Sequence, residues 1–130
     1  MEIKIFLIAL ISIIILDAIF LGILMKNFYK TELKSIATFK SGSMQTRLVP
    51  IILTYLILAL GFTFFVSPML YASLYKSFLI GALFGLVVYG VYDFTNYAIF
   101  QTYTLRVAIV DIVWGVFLNG IVAMIASRFI

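Results

Sequence analysis

The sequence predicts an all-α integral membrane protein, a single domain built as a bundle of four transmembrane helices. The 130 residues are 65% hydrophobic and only 11% charged, whereas soluble domains are about half apolar and about a quarter charged. The mean hydropathy is +1.25. Four apolar runs of roughly 18–21 residues are each long enough to cross a hydrocarbon core of about 30 Å.

The first predicted span covers residues 5–25. A cleaved signal peptide is the alternative, but its apolar region is normally about 7–15 residues long. This run is longer and ends at Lys26 and Asn27, without a small-x-small cleavage site. We therefore expect a retained helix.

The basic loop at residues 26–48 is the longest polar segment of the chain. Tyr29, Leu33 and Ile36 recur at helical spacing, which predicts either a continuation of the first helix or a short helix at the membrane interface. Ser41-Gly42-Ser43 predicts a turn. A plain cytoplasmic loop is favoured over a specific site for lipid headgroups.

The other predicted spans cover residues 49–66, 78–97 and 107–126. Pro50 lies in the first turn of the second span, where a missing N–H costs nothing, and Ser67-Pro68 is expected to end it. The second connection carries the interface residues Tyr71 and Tyr75.

Spans three and four each carry one stripe of small and polar residues. In the third span the stripe contains a small-residue pattern that lets helices approach closely, and its members lie within an arc of roughly 120°: Gly81, Gly85, Tyr89, Tyr92, Asp93 and Asn96. In the fourth span the members are Asp111, Gly115, Asn119, Ala123 and Ala126, with Trp114 beside them. We predict helix packing through Gly81, Gly85 and Gly115, either within one subunit or between two.

The distribution of basic residues predicts the orientation. Loops one and three contain six basic side chains: Lys26, Lys30, Lys34, Lys40, Arg47 and Arg106. The opposite side has Lys4, Lys76 and Arg128. The positive-inside rule places the two loops in the cytoplasm and both termini outside. Contact with lipid headgroups and the orientation of the helices explain the net charge of +4. Nucleic acid is therefore not an expected partner.

Three of the five acidic residues, Asp17, Asp93 and Asp111, lie inside predicted spans. At 1.5 Å per residue they are about 12, 6 and 7 Å from the cytoplasmic ends of their helices. Each carboxylate facing lipid alone would cost roughly 2.5–3.5 kcal/mol. We therefore predict one polar cluster between the first, third and fourth spans, opening toward the cytoplasm and holding at least one protonated carboxyl group near neutral pH.

The expected hydrogen-bond donors of this cluster are Tyr89, Tyr92, Asn96, Tyr97, Trp114 and Asn119. The alternative is that the same residues only hydrogen-bond across helices and fix their packing. For the three aspartates taken together, a binding site or proton relay is favoured.

The motifs around these aspartates resemble one bacterial family. The residues that carry the resemblance are Tyr92-Asp93-x-Thr95-Asn96-x-Ala98, Leu105, Val110-Asp111-x-x-Trp114-Gly115, Leu16-Asp17-x-x-Phe20-Leu21-Gly22 and Phe28-Tyr29. They are similar to the signature of the domain-of-unknown-function 2177 (DUF2177) membrane proteins. The resemblance implies a small four-helix protein of the bacterial inner membrane and implies no activity.

The sequence departs from that family's pattern at two places. Phe20 stands where Trp is expected, and Gln101-Thr102-Tyr103-Thr104 replaces a turn that usually contains Gly or Asn followed by Trp and Pro. The second departure bears on the loop geometry between Asp93 and Asp111.

Three functions are open. Buried carboxylates favour transport of protons, small cations or solutes, for which four helices would need a dimer. Aspartates at the interface also fit a lipid- or isoprenoid-modifying enzyme holding Mg²⁺, although no longer Asp-rich motif is present. The small size fits a non-catalytic subunit or assembly factor of a membrane complex. Transport leads, and an enzyme is the weaker expectation.

The chain contains no Cys and no His, which excludes disulfides, thiolate chemistry and the common ligands of zinc and haem. We predict no cofactor and no dedicated metal site. The expected partners are membrane lipids, with a homodimer or a larger membrane complex left open.

Overall fold

Four long helices carry most of the chain in the computed structural model, which describes residues 1–70 and 73–130. The helices and strands are, in order, α1 (Glu2–Ile19), α2 (Lys26–Glu32), β1 (Phe39–Lys40), β2 (Ser43–Met44), α3 (Leu48–Gly61), α4 (Leu74–Ile99) and α5 (Leu105–Ala126). A π-helical turn at Phe20–Leu24 extends α1, and another at Phe62–Val66 extends α3. Short 3₁₀ turns follow at Ser67–Met69 and Ser127–Phe129.

Among the described residues, four helical runs are long and apolar enough to span a membrane: Glu2–Leu24, Leu48–Met69, Leu74–Ile99 and Leu105–Phe129. The predicted fold class is thereby confirmed. The second run continues past the expected stop, because Pro68 lies in the first positions of a 3₁₀ turn, where its missing N–H breaks no hydrogen bond. Tyr71, expected at the interface, lies outside the described residues.

The ends of the long helices follow from local capping. Met25 interrupts the first run with non-helical angles, so α2 is a separate short helix rather than a continuation of α1. The Ser73 side chain accepts from Lys76 N and starts α4 four residues before the expected position. Thr104 caps α5 in the same way through Val107 N, satisfying an N–H that has no partner within the helix.

The predicted turn in the first loop is the tip of a small hairpin. Phe39 pairs with Met44 and Lys40 with Ser43 in antiparallel register. Ser41 and Gly42 between them both have positive φ, 52° and 78°, as two-residue hairpin turns require.

Helices α4 and α5 form the most extensive contact of the bundle. Their backbones approach so closely that a Cβ added at Gly81 or Gly85 would collide with the backbone carbonyl of Asn119 or Gly115. The stripe of small residues on α4 is therefore used inside one subunit.

The remaining core lies between α1, α3 and α5, in the half of the bundle that carries the chain termini. Its buried members are Ile5, Ala9, Ile13, Leu58, Ala59, Phe62, Val66, Leu118, Val122, Ala123 and Ala126. The opposite end, which we name the loop end, consists of residues 25–47 and 100–104 with the adjoining helix ends. Large apolar side chains such as Ile57, Phe65 and Val91 stay more than half exposed, which suits contact with lipid.

Candidate functional site

Two of the aspartates meet near the loop end. Asp93, on α4, is fully buried, and the Tyr103 hydroxyl donates to its Oδ1 at 2.5 Å. The Asp111 carboxyl group on α5 lies within hydrogen-bonding reach of Asp93. Among the described residues, no N–H or O–H group donates to Asp93 Oδ2. Two ionised carboxylates in contact repel, and one shared proton makes the contact favourable.

Asp111 lines a cavity of about 240 Å³, so the carboxyl pair can be reached from this cavity. The Tyr29 hydroxyl of α2 donates to Asp111 Oδ1 at 2.8 Å across the cavity wall. The residues that line it come from the first loop, α4, the third loop and α5: Tyr29, Leu33, Ile36, Ala37, Tyr92, Asn96, Phe100, Tyr103, Val107 and Asp111. The cavity thus has one acidic end and largely apolar walls.

Asp17 has a separate set of partners one layer deeper between the helices. Trp114 Nε1 donates to its Oδ1 at 2.7 Å, and the Tyr55 hydroxyl of α3 donates to its Oδ2 at 3.0 Å. The Phe20 ring stacks on Trp114 with 4.0 Å between ring centroids and 7° between planes. Asp17 is within electrostatic range of Asp111 but does not line the cavity.

Tyr89 connects the two groups. Its ring covers Gly115, where a Cβ would collide with it, and the negative field of all three aspartates reaches its hydroxyl group. Gly115 therefore provides the space that the Tyr89 ring occupies.

The short helix α2 covers the cavity from the loop end. The Thr104 hydroxyl donates to Glu32 Oε2 at 2.6 Å, and Arg106 Nη1 lies 3.4 Å from Glu32 Oε1. Beneath these contacts Tyr29, Tyr103, Val107 and Ala108 form a small buried cluster. We call α2 and these contacts the α2 cover.

The two tyrosines in the loops are held in their neutral form. Burial, followed by the negative charge of Asp111, raises the pKa of Tyr29 far above its ordinary range. Burial and the hydrogen bond to Asp93 raise the pKa of Tyr103 in the same direction. Both hydroxyl groups therefore remain donors throughout the physiological pH range.

Several residues expected at the site lie elsewhere or act differently. Of the six expected donors, Trp114 alone donates to an aspartate among the hydrogen bonds described. Asn119 is buried in the α4–α5 interface and donates to the Gly115 carbonyl at 2.8 Å, and its Oδ1 has no donor in the part of the chain that the structure describes. Tyr92 and Asn96 line the cavity, and Tyr97 is 46% exposed.

The donors that the sequence analysis missed are Tyr29, Tyr55 and Tyr103. Tyr29 and Glu32 lie on one face of α2, a spacing of three that could have indicated docking. Tyr103 and Thr104 belong to the segment that departs from the DUF2177 pattern, and this departure supplies both the Asp93 donor and the Glu32 donor.

Metal ligands are sparse here. Within residues 1–70 and 73–130 there is no group of three or more Asp, Glu, His or Cys side chains placed to hold a metal ion. The cavity instead presents one carboxylate, neutral oxygens and aromatic rings.

Comparison with known protein families identifies a match over nearly the whole chain. The model of DUF2177, described as a predicted membrane protein, matches residues 2–128. No curated protein matches the chain, and no solved structure matches it.

Proposed function

The chain belongs to the DUF2177 family of predicted membrane proteins, and we propose that it is a proton-linked carrier of a small cation. The binding site is the carboxyl pair of Asp93 and Asp111. The observation that supports this most directly is that Asp93 is fully buried and in contact with a second carboxyl group that faces a cavity.

The chemistry of the pair couples a cation to a proton. With the site empty, one proton between Asp93 and Asp111 offsets the repulsion of two negative charges in a low dielectric. A cation that reaches Asp111 supplies the positive charge instead, and the proton is released. Tyr103 keeps its hydrogen bond to Asp93 Oδ1 and so holds that carboxyl group in place during the exchange.

Cations and protons enter and leave the site from the side of the membrane on which the loop end lies. The six basic residues of the first and third loops favour the cytoplasm for this end, in the bacterial inner membrane, with both termini outside. A cation from that side reaches Asp111 by displacing the α2 cover.

Passage to the other side requires the helices to move. The half of the bundle beyond the site is filled by the apolar core of α1, α3 and α5. Helices α4 and α5 are locked together by backbone contacts at Gly81 and Gly85. We propose that this helix pair moves as one rigid body against α1 and α3, as in shear motions of packed helices. A homodimer would have to form through a different surface from Gly81 and Gly85.

The test is proton movement in proteoliposomes that contain a pH-sensitive dye. An inward gradient of methylammonium should drive protons outward faster than in protein-free vesicles, and a Na⁺ gradient in parallel vesicles tests whether an inorganic cation does the same. Asp93→Asn combined with Asp111→Asn should abolish the difference, whereas Glu2→Gln, which removes an exposed carboxylate at the far end, should preserve it. Flux that survives the double substitution would overturn the proposal.

A further inference from the structure

We infer that the ligand of the Asp111 cavity is an organic ammonium ion with an apolar body, rather than an inorganic cation. This inference rests on the proposed function and names the substrate class of the same site. It is carried by three features of the cavity: its walls, its polar groups and its size.

The walls are built for an apolar body. Leu33 and Ile36 from the first loop, Phe100 from the third loop and Val107 from α5 line the cavity. Burial of hydrocarbon against such walls contributes about 0.8 kcal/mol per methylene group. A hydrated inorganic ion would bury no hydrocarbon against these walls and would leave the apolar side chains in contact with water.

The polar groups are too few for a metal ion and sufficient for an ammonium group. Ca²⁺ takes six to eight oxygen ligands and Mg²⁺ six, but among the described residues that line this cavity Asp111 is the single carboxylate. An ammonium group has up to three N–H donors. The Asp111 carboxylate and the side-chain oxygen of Asn96, both in the cavity lining, accept two of these N–H groups. The tyrosine rings beside them attract a cation through their faces.

The fully buried carboxyl group behind Asp111 completes the electrostatic balance. Asp93 Oδ2 has no donor among the described residues, so the pair holds unused negative charge once its proton has left. A single positive charge at Asp111 compensates for that charge. The volume of about 240 Å³ lies below the roughly 300–1,000 Å³ of sites for drug-sized ligands, which favours a small monoamine.

The experiment is equilibrium binding of radiolabelled 2-phenylethylamine to the full-length protein purified in detergent. Three competitors separate charge from apolar body: 2-phenylethanol has the body without the charge, methylammonium has the charge without the body, and Na⁺ is inorganic. We expect saturable binding of one amine per chain. Methylammonium should compete more weakly by roughly tenfold or more, and 2-phenylethanol and Na⁺ should not compete.

Two variants test the location. Ala37→Phe fills the cavity from its wall and should abolish amine binding, whereas Ser35→Phe, at an exposed position outside the lining, should preserve it. Asp111→Asn should also abolish binding while the gel-filtration profile is unchanged.

Each contrary result has a distinct meaning. Equal competition by 2-phenylethanol, or binding that survives Ala37→Phe and Asp111→Asn, would overturn the inference because the amine would then only partition into apolar surface. Proton flux driven by Na⁺ without any amine binding would overturn the substrate class and leave the carrier proposal standing. Absence of both amine binding and cation-driven flux would overturn both.

Discussion

The indole N–H of Trp114 donates to the carboxylate of Asp17 at 2.7 Å, joining residues 97 positions apart. This bond connects the first helix to the last, and Phe20 stacks on the face of the same ring. A hydrogen bond to a charged group contributes about 1.5–3 kcal/mol. Trp114→Phe removes the donor and retains an aromatic ring, so it should lower the free energy of unfolding by about that amount.

A double-mutant cycle with Asp17→Asn identifies the cause of that loss. Thermal unfolding in detergent, followed by far-UV circular dichroism, should show that Trp114→Phe costs less in the Asp17→Asn background than in the wild type. An equal cost in both backgrounds would assign the effect to ring packing alone.

The close approach of α4 and α5 predicts unequal effects for two glycines on the same helix. Gly85→Ala places a Cβ against the Gly115 carbonyl and should destabilise the fold by about 1–3 kcal/mol. Gly90→Ala enters open space and should be neutral or stabilising by up to about 1 kcal/mol, because alanine favours the helix. Unfolding midpoints of the two variants in the same detergent measure the difference, and equal midpoints would contradict the packing described.

The contact between Asp93 and Asp111 predicts a protonated carboxyl group near neutral pH. Infrared difference spectra should show the carbonyl stretch of a protonated carboxylic acid, and Asp93→Asn should remove it. Glu2→Gln should leave the band unchanged, since Glu2 is exposed at the opposite end. A wild-type spectrum in which every carboxyl group is ionised at neutral pH would rule out the shared proton.

The raised pKa values of Tyr29 and Tyr103 predict late formation of tyrosinate. The neutral hydroxyl group is the form that donates to the aspartates. Its contribution to folding is therefore fully present below the ordinary pKa of about 10 and is lost as the pH rises through the raised folded-state value. In an ultraviolet absorbance titration, Tyr103→Phe should reduce the total tyrosinate absorbance by about one eighth, since the chain has eight tyrosines. This loss should occur in the part of the titration well above pH 10. Loss of amplitude near pH 10 instead would contradict this.

The contacts of Glu32 predict that the α2 cover can be loosened. The pair with Arg106 contributes little, because the arginine side chain is 75% exposed and exposed ion pairs are worth about 0–1 kcal/mol. The bonds from Thr104 to Glu32 and from Tyr29 to Asp111 are partly buried and carry most of the stability. Glu32→Ala with Tyr29→Phe should therefore raise the population of the open state.

Engineered thiols measure that opening cleanly, since the chain has no cysteine. Val107→Cys places a thiol at a fully buried position in the cavity wall. Its modification rate should rise by roughly tenfold or more when the two side-chain contacts are removed, in proportion to the population of the open state. Ser35→Cys, at an exposed position, should react at the same rate in both backgrounds. An unchanged rate at position 107 would show that α2 does not control access.

Hydropathy predicted the fold because lipid leaves little choice: backbone groups must be satisfied within helices. The ends of the predicted spans differ from the ends of the long helical runs in the structure by one to four residues. The observed helix ends differ from the predicted ones where a single capping side chain sets the first residue of the helix, as Ser73 does for α4. The meeting of Asp93 with Asp111 was accessible from helical periodicity and depth, since both face the partner helix at a similar level.

The partners of the aspartates could not be predicted in the same way. Tyrosine is common at membrane interfaces for reasons unrelated to any site, so Tyr29 and Tyr103 carried no special signal. The role of Tyr55 depends on α3 packing beside α1, which periodicity does not specify. Asn119 shares a helix face with Asp111 but donates to the Gly115 carbonyl of its own helix, a local hydrogen bond that periodicity does not reveal.

The wide separation of Asp17 from its donors has a consequence for biosynthesis. Tyr55 follows Asp17 by 38 positions and Trp114 by 97, so the first helix is synthesised well before the last helix, which carries Trp114. Until then its carboxyl group must stay with water or the insertion machinery, or take up a proton. The hydrogen bonds of Asp17 are thus complete only when the last helix arrives, and truncation before Trp114 should leave a chain that quality-control proteases degrade.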